Sequence, residues 1–181
     1  MVQERDPLVE LLDEGRAGEG AAARARERSL RHLAEEEAGL VGTLVDLAER
    51  GSAVAVRTEA GRAHHGALVA VGTDYCVVRA DSGAEVHLHL PAIATVRPHP
   101  GERHVAATGG RRPARDLRLL EVLGRVAHDR VRVTLVTRGG DVVAGRLLAV
   151  GADVVSVRLD GGAAEPCYVA SGAITEVVVD C

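Results

Sequence analysis

The stretch GALVAVGTDYCVV, Gly66 to Val78, is nearly written again as GRLLAVGADVVSV, Gly145 to Val157. An internal echo constrains a chain more than any single motif, because each copy must reach the same local structure through the same turns and apolar positions. Gly66, Gly72 and Asp74 stand over Gly145, Gly151 and Asp153 at a constant offset of 79 residues. Ala92-Ile93 over Ala173-Ile174 needs an offset of 81, which puts a two-residue insertion in the intervening hairpin, where added length costs little. The segments ahead of the strands correspond as well, LVGTLVDLAERGSAVAV against LRLLEVLGRVAHDRVRV.

The period inside each copy gives the elements. From Gly51 apolar residues alternate, with Val54 and Val56, then Leu68 and Ala70, then Val86, Leu88 and Leu90 on one face. Turn signals separate them at Glu59 to Gly61, Val71 to Asp74 and Asp81 to Gly83, and Pro98 and Pro100 close the run. A meander of about five short strands is predicted. The pattern returns behind a helix carrying Leu119, Leu120, Leu123 and Val126, with strands at Val131 to Leu135, Leu147 and Ala149, Val155 to Leu159, and Ile174 to Val179.

The N-terminal part reads as helical. Asp6 and Pro7 start a short helix with Leu8, Leu11 and Leu12 on one face, which Gly15 ends. After the small-residue stretch GRAGEGAA, a second helix carries Leu30, Leu33, Leu40, Leu44 and Leu47, interrupted at Glu37. That stripe is expected to lie against a partner surface. The expected organisation is a helical arm over 1–37, a first small barrel with its leading helix over 38–100, an Arg/Gly/Pro linker over 101–115, and a second barrel with its helix over 116–181. The predicted fold class is mostly β, two tandem helix-plus-five-strand barrels behind a helical arm.

A helix followed by five short strands, with the pattern G…G.L..VG.D at Gly66 to Asp74 and Ala92-Ile93-Ala94-Thr95-Val96-Arg97-Pro98 as the last strand, resembles the Sm-like family. The resemblance covers residues 38–98 and again 116–179, and implies assembly through barrel edges. It does not carry over the family's RNA-binding residues. After Asp74 come Tyr75, Cys76, Val77 and Val78, with no Asn. Leu90-Pro91 and Ser171-Gly172 stand where the family's bacterial RNA chaperones have Lys-His.

Composition excludes several functions. The net charge is −4, and Tyr75 and Tyr168 are the only aromatic residues apart from histidines, so neither a basic footprint nor stacking platforms for RNA are at hand. All 22 basic residues are Arg, and residues 101–130 hold 7 of them against 4 acids. Arg111, Arg112, Arg115 and Arg118 therefore form the candidate phosphate-binding cluster. His87 and His89 share a strand face, and His64 or His65 from a neighbouring strand could add a third metal ligand, but the pattern suits an exposed polar face better than a metal site. Cys76, Cys167 and Cys181 lack metal-motif spacing, and the first two read as core fillers. No nucleophile elbow or phosphate loop is present, so no enzyme, cofactor or metal is expected. With no apolar run long enough to cross a bilayer and no signal peptide, a cytoplasmic, membrane-free protein is the expectation. These readings converge on a non-catalytic interaction or assembly module that binds a protein or its own copies; the alternative is a weak RNA or DNA binder using the Arg-rich linker.

Overall fold

The computed structural model describes residues 7–101, 111–113, 116–162 and 165–180; side chains of residues 7–19, 21 and 180 lie outside that description. Helix α1 (Pro7–Glu36) is followed by α2 (Leu40–Glu49), and then by β1 (Ala53–Thr58), β2 (Ala63–Val71), β3 (Tyr75–Arg79), β4 (Glu85–His89) and β5 (Ile93–Pro98). The second half repeats this order with α3 (Leu119–Ala127), β6 (Arg132–Thr137), β7 (Val142–Val150), β8 (Val154–Leu159), β9 (Pro166–Ala170) and β10 (Ile174–Asp180). Among the described residues no helix is long and apolar enough to cross a membrane.

The strands do not form two tandem barrels. They make one open antiparallel sheet in the order β5-β1-β2-β3-β4-β10-β6-β7-β8-β9. The finding that overturns the expectation is the pairing of β4 with β10, Leu88 opposite Glu176, His87 opposite Val177 and Val86 opposite Val178. Alternation fixes which face of a strand is apolar, but nothing in it states which edges meet, and here the edge of one half is spent on the other.

The repeat nevertheless sets the register of each half. Gly66 pairs with Val54 as Gly145 pairs with Val133, and both second strands shift register at matching places, Leu68/Ala70 and Leu147/Ala149. Each glycine is required by a close approach. A Cβ on Gly66 would lie 2.0 Å from the carbonyl oxygen of Arg79, and one on Gly145 would lie 2.0 Å from that of Arg158.

The apolar residues form two cores. Leu44, Val45 and Leu47 of α2 cover Val54, Val56, Leu68, Val78 and Leu88 in the first half. Leu119 and Leu123 of α3 cover Val133, Leu135, Leu147, Val157 and Val177 in the second. That second core also takes Tyr75 and Val77 from β3, so it reaches across the junction.

The helices depart from expectation in two places. Gly15 does not stop the first helix, and GRAGEGAA lies inside α1. Each glycine costs a helix about 1 kcal/mol, too little to break a segment otherwise rich in Ala, Arg and Glu. The leucine stripe is in turn divided, because the chain leaves the helix between Glu36 and Leu40. Gly39, extended at φ −98° and ψ 157°, is the N-cap of α2.

Candidate interaction site

The junction of the halves is the most elaborate polar site in the described structure, and its parts come from hairpin turns and strand edges. Glu176 of β10 sits at a register shift between Ile174 and the rest of the strand, with its side chain 1% exposed. A carboxylate so buried needs partners, since desolvation of an unpaired charge costs several kcal/mol. Both partners come from the start of β2 and its turn in the other half. His64 Nε2 lies 2.6 Å from Glu176 Oε2, and Arg62 Nε lies 2.7 Å from Oε1 as an ion pair without hydrogen-bond geometry.

Other junction contacts surround this cluster. Arg138, in the turn after β6, forms an ion pair with Glu59, in the turn after β1, so the two matching turns touch. Within the second half the Arg138 backbone N–H donates to Ala173 O at 2.8 Å, and across the junction the His89 ring lies with Nδ1 3.2 Å from Ile174 O. The turn after β2 holds the start of α3. Thr73 N–H donates to Leu117 O at 2.9 Å, and Leu119 N–H donates to Asp74 Oδ1 at 2.7 Å. A helix begins with unsatisfied N–H groups, and a carboxylate supplied from outside the helix caps one of them. Asp74, which the sequence marks only as part of a turn, caps a helix of the other half.

Beneath α3 runs a cleft of about 300 Å³ lined by Val69, Tyr75, Val77, His87, Val122 and Arg125, among others. The His87 ring stacks on Tyr75 with centroids 5.9 Å apart. Its Nδ1 is buried without a partner. Burial pushes the His87 pKa below its ordinary 6.5, against the opposing pull of Glu85 and of the Val177 backbone. Burial thus favours the neutral imidazole where the halves meet.

The structure separates the candidate residues named from the sequence. Leu44 and Leu47 are buried in the first core, whereas Leu30, Leu33 and Leu40 are exposed at 67%, 52% and 44%. The stripe is therefore not one surface. Arg111 is held by Asp46 and Glu49 of α2, Arg112 and Arg118 are exposed, and Arg115 lies outside the described residues, as do 102–110 of the linker and Cys181. His64 is spent on Glu176 and His87 on Tyr75, so the histidines do not converge. Among the described residues no three His, Cys, Asp or Glu side chains come together as a metal-binding group. Cys76 is buried in the first core, and burial pushes its thiol up to about 12.

The sequence reading missed Glu176 and the capping role of Asp74. A lone Glu inside the apolar run AITEVVV is a signal for the first, because a charge in such a strand needs a buried partner. In comparison with known proteins, no family model matches this chain, and no curated protein matches it in sequence.

Proposed function

We propose that this chain is a non-catalytic interaction module that recruits a protein partner by strand addition at the two ends of its sheet, and that its repeat of a helix and five strands is kin to the Sm-like unit. The observation that supports this reading is the β4·β10 pairing, in which an edge of one half takes up a strand of the other. The counterpart edges, β5 and β9, lie at the two ends of the same sheet. Unpaired edges offer a row of main-chain donors and acceptors to an incoming strand.

The outward groups can be named. The His99 N–H donates inward to Ala53 O, so by alternation Val96 on β5 points its N–H away from β1. The Ser171 N–H donates inward to Asp153 O, and Tyr168 on β9 likewise points outward. Proline at either position removes an edge donor and spares the inner ladder.

The reading is checked by affinity capture from native lysate, with and without nuclease, using the full chain and its Val96→Pro and Tyr168→Pro variants. Capture of protein that resists nuclease and falls with either proline is expected. Capture that nuclease abolishes and the prolines leave intact would instead favour a nucleic-acid binder working through Arg112, Arg115 and Arg118. The engagement of Arg111 by two carboxylates weighs against that second reading.

A further inference from the structure

We infer that helix α1 pairs antiparallel with the α1 of a second copy of this chain, an interface separate from the strand edges, in the register that sets Leu8 of one copy opposite Leu33 of the other. No core covers this helix. At 1.5 Å per residue its 30 residues run about 45 Å. Among the described residues neither core takes a side chain from it, and 22–33 are all exposed, Leu30 and Leu33 by more than half. Gly15, Gly18 and Gly20 lower its helix propensity, so that α1 alone in water is a poor helix with an uncovered apolar end. Pairing supplies both the cover and the missing stability.

Charge selects both the partner and its direction. Residues 7–19 hold four acids and one Arg, a balance of −3, while residues 20–33 hold four Arg and one Glu, a balance of +3 with His32 neutral. The helix is therefore complementary to itself when reversed. An antiparallel copy lays each half on its opposite, whereas a parallel copy lays each on its like. The leucines at the two ends, Leu8 and Leu12 against Leu30 and Leu33, can meet in either direction, so they hold the pair together without orienting it.

The register follows from the seam. Positions 8, 12, 15, 19, 22, 26, 29 and 33 alternate steps of four and three, the spacing of a helix that faces another helix along its length. Laid antiparallel, Leu8 meets Leu33, Leu12 meets Ser29, Gly15 meets Arg26 and Glu19 meets Ala22, each pair occurring twice by symmetry. Arg26 is the one basic residue on this seam and Glu19 the one acid. Gly15 opposite Arg26 leaves room for the long side chain, and Glu19 of the partner lies one turn further along, within its reach. The dimer thus gains two Glu19–Arg26 pairs, and Ala22 between them lets the backbones approach. Such an interface is isologous, so it closes at two copies.

Sedimentation equilibrium on the purified full chain tests this pairing, alongside a chain that carries both Val96→Pro and Tyr168→Pro so that strand addition is blocked in it. A mass of twice the 18.9 kDa of one chain is expected for the proline chain as well as for the parent. Glu19→Arg and Arg26→Glu should each weaken the dimer about tenfold, because each turns two attractive pairs into repulsive ones, and the two changes together in one chain should restore it. The thermal melt of the sheet should stay unchanged in all three, which separates lost pairing from a lost fold. A mass of one chain at every concentration, or a dimer that neither single charge change weakens, would overturn α1 as the interface. Association that disappears with the two prolines would assign it to the strand edges instead. Single changes that weaken the dimer and a double change that fails to restore it would overturn the antiparallel register.

Discussion

A Cβ added at Gly66 or Gly145 meets a neighbouring strand's carbonyl oxygen at 2.0 Å, so Gly66→Ala and Gly145→Ala should each destabilise the chain by about 1–3 kcal/mol, read as a lower urea midpoint at unchanged slope. Glu176 is held to a different standard, because its cost lies in what remains when a partner is lost. Glu176→Ala leaves His64 facing an emptied site and should cost about 3 kcal/mol, near the low end for a buried pair because Arg62 is half exposed. Glu176→Gln keeps a hydrogen-bonding oxygen for His64 and should cost less. His87 links the junction to pH. Its folded pKa lies below 6.5, so between the two values the unfolded chain holds a proton that the folded chain does not. Stability therefore rises with pH through that window, is fully present above 6.5, and is lost as pH falls below it. Urea melts of His87→Leu between about pH 5 and 7 should show a shallower acid loss than those of the parent chain; equal slopes would place the titration elsewhere.

Helix α3 begins on two signals, one of them local, since the Arg118 N–H donates to Glu121 Oε2 at 2.6 Å, and the other distant. Asp74, in a turn of the other half, takes the Leu119 N–H, so Asp74→Ala should destabilise the chain by about 1 kcal/mol through a helix that the mutated half does not contain. Hydrogen exchange at Val122 and Leu123 reports this directly. The same element shows where sequence reading stops. Leu119, Leu120, Leu123 and Val126 announce the helix by their spacing, but the carboxylate that takes the Leu119 N–H is 45 positions away and carries no local pattern. The strand pattern of each half, β5 and β10 included, was legible because alternation and turn residues are local, and the two halves could be aligned for the same reason. The ends of α1 and α2 were misplaced because Gly15 was read as a stop, whereas Gly39, beside an already interrupted stripe, was the actual boundary. The β4·β10 junction was illegible for a third reason: edge pairing depends on which strands lie unpaired in space, and Glu176, the one residue in the run that marks it, reads as an interruption until His64 is placed beside it.

The whole molecule is a single sheet whose second core borrows Tyr75 and Val77 from the first half, so the halves should unfold together. One calorimetric transition, with equal van't Hoff and calorimetric enthalpies, is expected; two resolved transitions would show that the junction contributes little. The junction also bears on how the chain is threaded. In a circular permutant that begins with α3 and carries the first half after β10, residues 99–118 no longer join the halves, and the β4·β10 ladder with its Arg62, His64 and Glu176 cluster is the seam that must bring them together. A permuted chain that still melts in one transition would show that this seam, and not the connecting segment, makes the two halves one sheet.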